Sequence, residues 1–133
     1  MNEYTSKNKH KYYLKAHLIF VCKYRKLLLT DGIGNTIKSC FLEISASRKF
    51  DIEIMESDKD YIHLLISYSP EISITSIVRR LKQQSTHELW SKYPSFLKKH
   101  FWKEHTFWSD GYFVCSVGEA NPETIRKYIE NQG

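Results

Sequence analysis

The chain lacks a long hydrophobic run, which argues against a helix that crosses a bilayer. Its longest apolar run, Leu18 to Cys22, is far shorter than the ~20 residues that such a helix needs. The polar, lysine-bearing stretch 1–13 has no apolar centre and predicts no secretion signal. The three cysteines, Cys22, Cys40 and Cys115, are scattered and have no CxxC spacing. They predict neither a disulfide framework nor a zinc site, so we expect reduced cysteines in a cytoplasmic protein without membrane contact.

Length and composition indicate one globular domain over residues 1–133. Apolar residues make up 41% and charged residues 26%, which is ordinary for a globular protein and sufficient for a core. The sequence shows no internal repeat, low-complexity segment or linker.

The net charge is +5, with 20 lysines and arginines against 15 acidic residues, and it favours a polyanionic partner. Four basic clusters stand out: Lys7, Lys9, His10 and Lys11; Lys23, Arg25 and Lys26; Arg79, Arg80 and Lys82; Lys98, Lys99 and His100. One such cluster is more often a solvated surface, but four in a small domain favour nucleic acid. Aromatic residues between positions 90 and 113 interleave with the last cluster, and rings outside the core can stack on unpaired bases.

Hydrophobic periodicity predicts four strands and three helices. We expect strands at Leu14 to Cys22, Asp51 to Ser57, Tyr61 to Tyr68 and Tyr112 to Val117, and helices at Ile33 to about Lys49, Ile74 to about Trp90, and from Pro122 onward with Asn121 as cap. Pro94 ends the second helix, and Ser95 to Ser109 shows no clear period. This order matches an α+β, ferredoxin-like split βαβ arrangement with an extra C-terminal helix. Helices on one face of the antiparallel sheet would leave its other face free.

Two segments carry the candidate catalytic and metal-binding residues. In the strand from Tyr61, alternation turns Tyr61 and His63 away from the core face. Tyr128 and Gln132, four apart, fall on one side of the last helix. Taken alone, His63 is more often a surface residue than a metal ligand, and Tyr128 more often packs with neighbouring isoleucines than acts as a nucleophile.

Four blocks together nevertheless resemble the single-tyrosine HUH transposases of the smallest insertion sequences, the TnpA type. The blocks are His17 to Lys26, Asp58 to Leu65, Trp108 to Val114 with Val117 and Gly118, and Tyr128 to Gln132. They occur in the family's order across nearly the whole chain. The resemblance implies a dimeric, metal-dependent endonuclease and strand-transferase that acts on single-stranded DNA at hairpin-bearing transposon ends.

The resemblance also implies residue roles. Tyr128 would be the nucleophile that forms a 5′-phosphotyrosine, and position 61, His63 and Gln132 would hold Mg²⁺ or Mn²⁺. Each site would be shared, with Tyr128 of one subunit beside the histidine of the other. The basic residues expected to bind DNA are Lys23, Arg25, Arg79, Arg80 and Lys82.

Position 61 departs from the family pattern, because Tyr61 stands where the first motif histidine is expected. A neutral phenol is a poor ligand for a divalent ion compared with imidazole. Three outcomes remain open: an active enzyme in which water or a carboxylate such as Asp58 or Asp60 fills the gap, a weakened enzyme, or a DNA-binding protein that no longer cleaves. Two other functions are also open, a non-catalytic nucleic-acid module of the same fold and a structural dimer that binds no nucleic acid.

Overall fold

A computed structural model describes residues 14–116 and 122–132. The elements are β1 (Leu14–Val21), a 3₁₀ turn (Lys23–Arg25), α1 (Asp31–Ala46), β2 (Phe50–Ser57), β3 (Tyr61–Tyr68), α2 (Ile74–Lys92), α3 (Pro94–His100), β4 (Phe113–Ser116) and α4 (Pro122–Glu130). The strands form one antiparallel sheet in the order β2-β3-β1-β4. The interleaving of β3 between β1 and β2 is the split βαβ arrangement, so the predicted α+β, ferredoxin-like fold is confirmed. Within the described residues no helix is long and apolar enough to span a membrane.

The main core lies between the sheet and helices α1 and α2. On β3 the alternate residues Ile62, Leu64 and Ile66 are fully buried there, as the alternation predicted. Helix α1 contributes Phe41 and helix α2 contributes Leu81 to the same cluster. This packing fixes which face of β3 is apolar, and therefore turns Tyr61 and His63 to the opposite face.

That opposite face is not free over its whole area, contrary to the expectation from the sequence. Helix α4 lies on it and buries Ile129 against Ile19 and Val21 of β1. The partly buried side chains of Tyr61 and Tyr128 complete this second, smaller cluster. The helix that carries Tyr128 is thus docked on the same face of the sheet as His63.

Several predicted boundaries need correction. Helix α1 ends at Ala46 rather than near Lys49, because the chain turns at Ser47, whose N–H donates to the Ile44 carbonyl. Helix α3 was missed, because Pro94 was interpreted only as a helix breaker although it is also a favourable first helical residue. Strand β4 begins one residue later than predicted, at Phe113. Two predicted features, the strand end at Val117 and the cap at Asn121, lie outside the described residues.

Candidate active site

His63 stands at the centre of the candidate site, on a strand that has a neighbour on each side. Its side chain is only 16% exposed. The Nδ1 atom lies 3.4 Å from Oε1 of Glu56 on β2, and Nε2 points in the other direction, toward β1. A carboxylate at one ring nitrogen orients the imidazole and fixes which nitrogen carries the proton.

A second imidazole, that of His17, lies beside His63 and was not among the predicted site residues. The His17 Nδ1 atom is 2.8 Å from His63 Nε2, and the two rings stack with centroids 5.0 Å apart at an angle of 12°. Burial, and then the nearby His63, lower the pKa of His17, so this imidazole favours its neutral form. Alternation along β1 places His17 on the same face as Ile19, which pairs directly with His63. Alternation in the sequence could have placed His17 on this face of β1. Only the register between β1 and β3 shows that it lies beside His63.

Tyr61 lies on the same face of β3 and lines a cavity of about 600 Å³ together with His63 and Glu56. Burial, followed by the negative charges of Asp58, Asp60 and Glu56, raises the pKa of Tyr61, so its phenol stays neutral at ordinary pH. The two aspartates suggested as substitutes for the missing histidine also line this cavity. Of these, Asp60 already pairs with Arg25 at 3.5 Å.

Tyr128 is placed differently from the histidines. Its ring packs on Phe113 of β4, with the ring centroids 5.5 Å apart. The hydroxyl is buried without a hydrogen-bond partner among the described residues, and burial raises its pKa. A Cβ atom at Gly111 would stand 3.8 Å from this oxygen, so the loop before β4 closes over it.

Gln132 lies just past the end of α4 rather than within it, and its backbone N–H donates to the Ile129 carbonyl. Its side-chain Oε1 accepts a hydrogen bond from Ser109 Oγ at 3.1 Å. Tyr128 and Gln132 therefore contact β4 and the loop before it, and Tyr128 also packs on Ile19 and Val21 of β1. His63 lies on β3, on the other side of β1. Within one protomer His63 thus has His17 and Glu56 as its hydrogen-bonding neighbours.

The donor set for a metal ion is correspondingly small in one protomer. In the part of the chain that the structure describes, no group of three or more His, Cys, Asp or Glu side chains is placed to hold an ion. Tyr61 offers only a neutral phenol, so the pair at positions 61 and 63 fits a divalent ion poorly. The imidazoles of His17 and His63 face each other and fit one better.

Two of the predicted DNA-binding residues form contacts within the protein. The Lys23 ammonium pairs with Asp110 at 3.5 Å and with Glu104 at 3.7 Å. Arg25 pairs with Asp60 and donates from Nη1 to the Glu130 carbonyl at the end of α4, 3.4 Å away. Arg25 has a left-handed backbone conformation, with φ of 53°, which is uncommon for a residue other than glycine. Both side chains therefore contribute to the architecture around the site, and DNA contact by them remains a prediction.

Arg79 and Arg80 are exposed on α2, on the helical side of the sheet. Together with Arg48 they line a cavity of about 210 Å³. Neither arginine of α2 forms an ion pair with another described residue. These two guanidinium groups are thus available to an external anion.

Lys82 has a role inside the protein that the sequence did not predict. Its ammonium donates to three carbonyls, those of Ser109 at 2.8 Å, Asp110 at 3.2 Å and Gly111 at 2.7 Å. An ammonium has three N–H donors, so all are used. Burial lowers the pKa of Lys82 from its usual value. We therefore assign Lys82 a role in positioning the loop that contacts Tyr128 and Gln132, and DNA contact by Lys82 remains a prediction.

We expect Lys82→Met to lower the free energy of unfolding by about 2 kcal/mol, because three carbonyls lose a charged donor while the aliphatic stem is kept. Urea denaturation measures this change. Arg79→Met on the same helix is the matched control, and a shift within about 0.5 kcal/mol is expected for that exposed site. Equal stability of the two variants would contradict the role of Lys82.

Comparison with known proteins decides the family. The family model described as "Transposase IS200 like" matches residues 10–132, nearly the whole chain. The chain belongs to the IS200-like transposase family. The transposase is 33% identical over 121 residues to ISDra2 transposase TnpA of Deinococcus radiodurans, a match that covers 91% of this chain and 85% of the relative. It is 28% identical over 118 residues to the IS200 transposase of Salmonella typhimurium, covering 89% and 76%.

Solved structures agree with this assignment. A crystal structure of a transposase from Deinococcus radiodurans R1 superimposes with a TM-score of 0.82 at 32% identity, covering 93% of this chain and 94% of the other. A REP-associated tyrosine transposase bound to a REP hairpin superimposes with a TM-score of 0.59 at 14% identity, covering 98% and 69%. The second likeness concerns the fold alone. The IS200-like family is generally dependent on a divalent metal ion.

Proposed function

We propose that this transposase is a metal-dependent endonuclease and strand-transferase acting on single-stranded DNA that carries hairpins. The observation that carries the proposal is the hydroxyl of Tyr128 on the C-terminal helix of an IS200-like transposase, which is buried and has no hydrogen-bond partner among the described residues. Most buried polar groups are hydrogen-bonded, so this phenol is a candidate for a functional role. The hairpin bound by the REP-associated relative supports the choice of substrate.

In the proposed reaction, the Tyr128 oxygen attacks the phosphorus of the scissile phosphodiester. The bond from phosphorus to the 3′ oxygen breaks, the phenol proton passes to solvent, and the leaving oxygen takes up a proton. The products are a 5′-phosphotyrosine and a free 3′-hydroxyl. A divalent ion, when bound, supplies polarisation of the phosphate and offsets its charge. Another 3′-hydroxyl can then reverse the step and join new ends, because the phosphotyrosine retains the energy of the broken ester.

We propose further that each site is shared by a homodimer. In their own protomer Tyr128 packs on Phe113 of β4 and Gln132 accepts a hydrogen bond from Ser109, whereas His63 lies on β3, with β1 between the two strands. A site in which Tyr128 works beside His63 of the partner subunit would bring the nucleophile and the histidine together. In this arrangement the amide oxygen of Gln132 would arrive with Tyr128, since the two residues are only four positions apart in the chain.

A second candidate function is hairpin binding without cleavage. The observation that favours it is Tyr61, whose raised pKa keeps a neutral phenol where the family pattern has a histidine. The two candidates share the DNA partner and differ in the covalent adduct, so an adduct assay separates them.

We expect the transposase to bind single-stranded hairpin DNA more tightly than a blunt duplex of the same sequence at matched salt. Within that assay, replacing both Arg79 and Arg80 by glutamine should weaken hairpin binding about tenfold and lower the salt slope by about 2, because each phosphate contact releases about one counterion. Fluorescence anisotropy over a range of salt concentrations measures both quantities.

The matched control replaces Lys98 and Lys99, which are exposed on α3, by glutamine and so removes the same charge. An equal loss of affinity in both double variants would show that only net charge matters, and would remove the arginines from the interface. Equal affinity of the wild type for hairpin and duplex would count against the proposed substrate.

A further inference from the structure

We propose that His17 supplies the imidazole that is missing at position 61, so that His17 and His63 together form the histidine pair of the divalent-metal site. The inference deepens the proposed metal-dependent function and rests on it for the role of the ion. It assigns a ligand on β1, a strand that lies beside β3 and carries none of the residues to which the resemblance gives a role. It also explains how the metal site can contain two imidazoles although position 61 is a tyrosine.

The spacing of the two nitrogens suits a shared ion. Two nitrogens each about 2.1 Å from one metal ion stand roughly 3.0 to 3.4 Å apart, depending on the coordination angle. His17 Nδ1 and His63 Nε2 are 2.8 Å apart without an ion. The distance between the two nitrogens therefore has to increase by only a few tenths of an ångström for both to bind one ion. Small rotations of the two side chains are sufficient for this.

Glu56 supports the nitrogen assignment. Its carboxylate lies 3.4 Å from His63 Nδ1 and favours the proton there, which leaves the lone pair of His63 Nε2 directed at His17. With that lone pair occupied as acceptor, His17 Nδ1 carries the proton of the present hydrogen bond. Metal binding would require only that His17 move this proton to its other ring nitrogen, which is a change of tautomer and not of charge.

The register of the sheet places His17 and Tyr61 on opposite sides of His63 along β3. His17 pairs with Leu65 and Ile19 pairs with His63, so His17 is the diagonal neighbour of His63 on one side. Tyr61 pairs with Val21 and is therefore on the other side of His63 along the strand. An ion held by His17 and His63 would therefore not need the phenol of Tyr61 as a ligand.

Two imidazoles leave most coordination positions for water, the scissile phosphate and ligands from the partner subunit. Imidazole nitrogen suits transition-metal ions better than Mg²⁺, which prefers oxygen ligands. The inference therefore predicts tighter binding of Mn²⁺ than of Mg²⁺ to the DNA-free protein.

The test is isothermal titration of the full chain with Mn²⁺ alone, without DNA. We expect His17→Ala and His63→Ala each to weaken Mn²⁺ binding more than tenfold, and the control Tyr61→Phe to change it less than twofold. His17→Gln, which keeps a polar side chain of similar size, and thermal unfolding of every variant separate a lost ligand from a lost fold. Wild-type Mn²⁺ affinity in a folded His17→Ala or His17→Gln variant would overturn the inference, as would loss of binding in Tyr61→Phe.

A rescue experiment makes the test sharper. If His17 replaces the histidine of position 61, then Tyr61→His in the His17→Ala background should restore Mn²⁺ binding to within about threefold of the wild type. A folded double variant that still fails to bind Mn²⁺ would overturn the replacement role. Mn²⁺ binding that depends on His17, in a protein that never forms a DNA adduct, would uphold this inference and reject the proposed cleavage.

Discussion

Tyr128→Phe should abolish the covalent adduct between protein and DNA and leave the fold at least as stable as in the wild type. The substitution removes the proposed nucleophilic oxygen and keeps the ring that packs on Phe113. Because the lost hydroxyl is buried and has no partner in the part of the chain that the structure describes, its removal takes none of the described hydrogen bonds from the folded state and ends the cost of burying a polar group. A denaturing gel with labelled hairpin DNA and Mn²⁺ detects the adduct, and urea denaturation gives the free energy of unfolding.

Tyr93→Phe provides a matched control, for which we expect the opposite effects on stability and on adduct formation. The Tyr93 hydroxyl is hydrogen-bonded to Thr36 at 3.1 Å on the helical side of the protein. Its removal should lower the free energy of unfolding by about 1 kcal/mol and leave adduct formation intact. An undiminished adduct in Tyr128→Phe would remove Tyr128 from the nucleophile role.

Tyr61→His should lower the Mn²⁺ concentration needed for half-maximal cleavage by more than tenfold. The change replaces a neutral phenol with a third imidazole on the same face as His63. Mutation of residues that hydrogen-bond to metal ligands typically changes metal affinity or activity tenfold to hundredfold, and a direct ligand should have a larger effect. Titration of Mn²⁺ against cleavage of a labelled hairpin compares the variant with the wild type. Tyr61→Phe, which introduces no ligand, should follow the wild-type curve.

Coinciding curves for Tyr61→His and the wild type would show that position 61 does not face the metal in the assembled site. Cleavage by neither protein would favour the function of hairpin binding alone. Since both variants change one side chain at the cavity wall, thermal unfolding of each is the control for the fold.

The sequence predicted the bounds of β3 because its burial alternates from Tyr61 to Ile66 and the hairpin turn sets its start. Helix α3 escaped prediction because only Leu97 among its residues is deeply buried, and one buried residue gives no period. The site was predicted in part. Position 63 follows from alternation within one strand, but the partner imidazole of His17 comes from a strand 46 residues away in sequence. Pairing across such distances depends on the fold and leaves no local pattern.

The prediction of DNA-binding residues from basic clusters in the sequence had a similar limit. Lys23 and its partner Asp110 are 87 residues apart, so a basic cluster in the sequence does not reveal that one of its ammonium groups already pairs with a carboxylate. Lys82 shows the same effect, because backbone carbonyls that bind its ammonium are invisible to a count of charges. Arg79 and Arg80, by contrast, keep the exposure that the sequence suggested.

The shortness of α4 has a consequence for assembly. The helix has nine residues, of which only Ile129 is buried, and a helix of that length is unstable in water by itself. The spacing of Tyr128 and Gln132 therefore exists only while α4 rests on a sheet, whether its own or that of a second copy. If the helix is exchanged between subunits, folding of the segment and completion of the catalytic centre become one event. A chain that is alone at high dilution can then order the segment only on its own sheet.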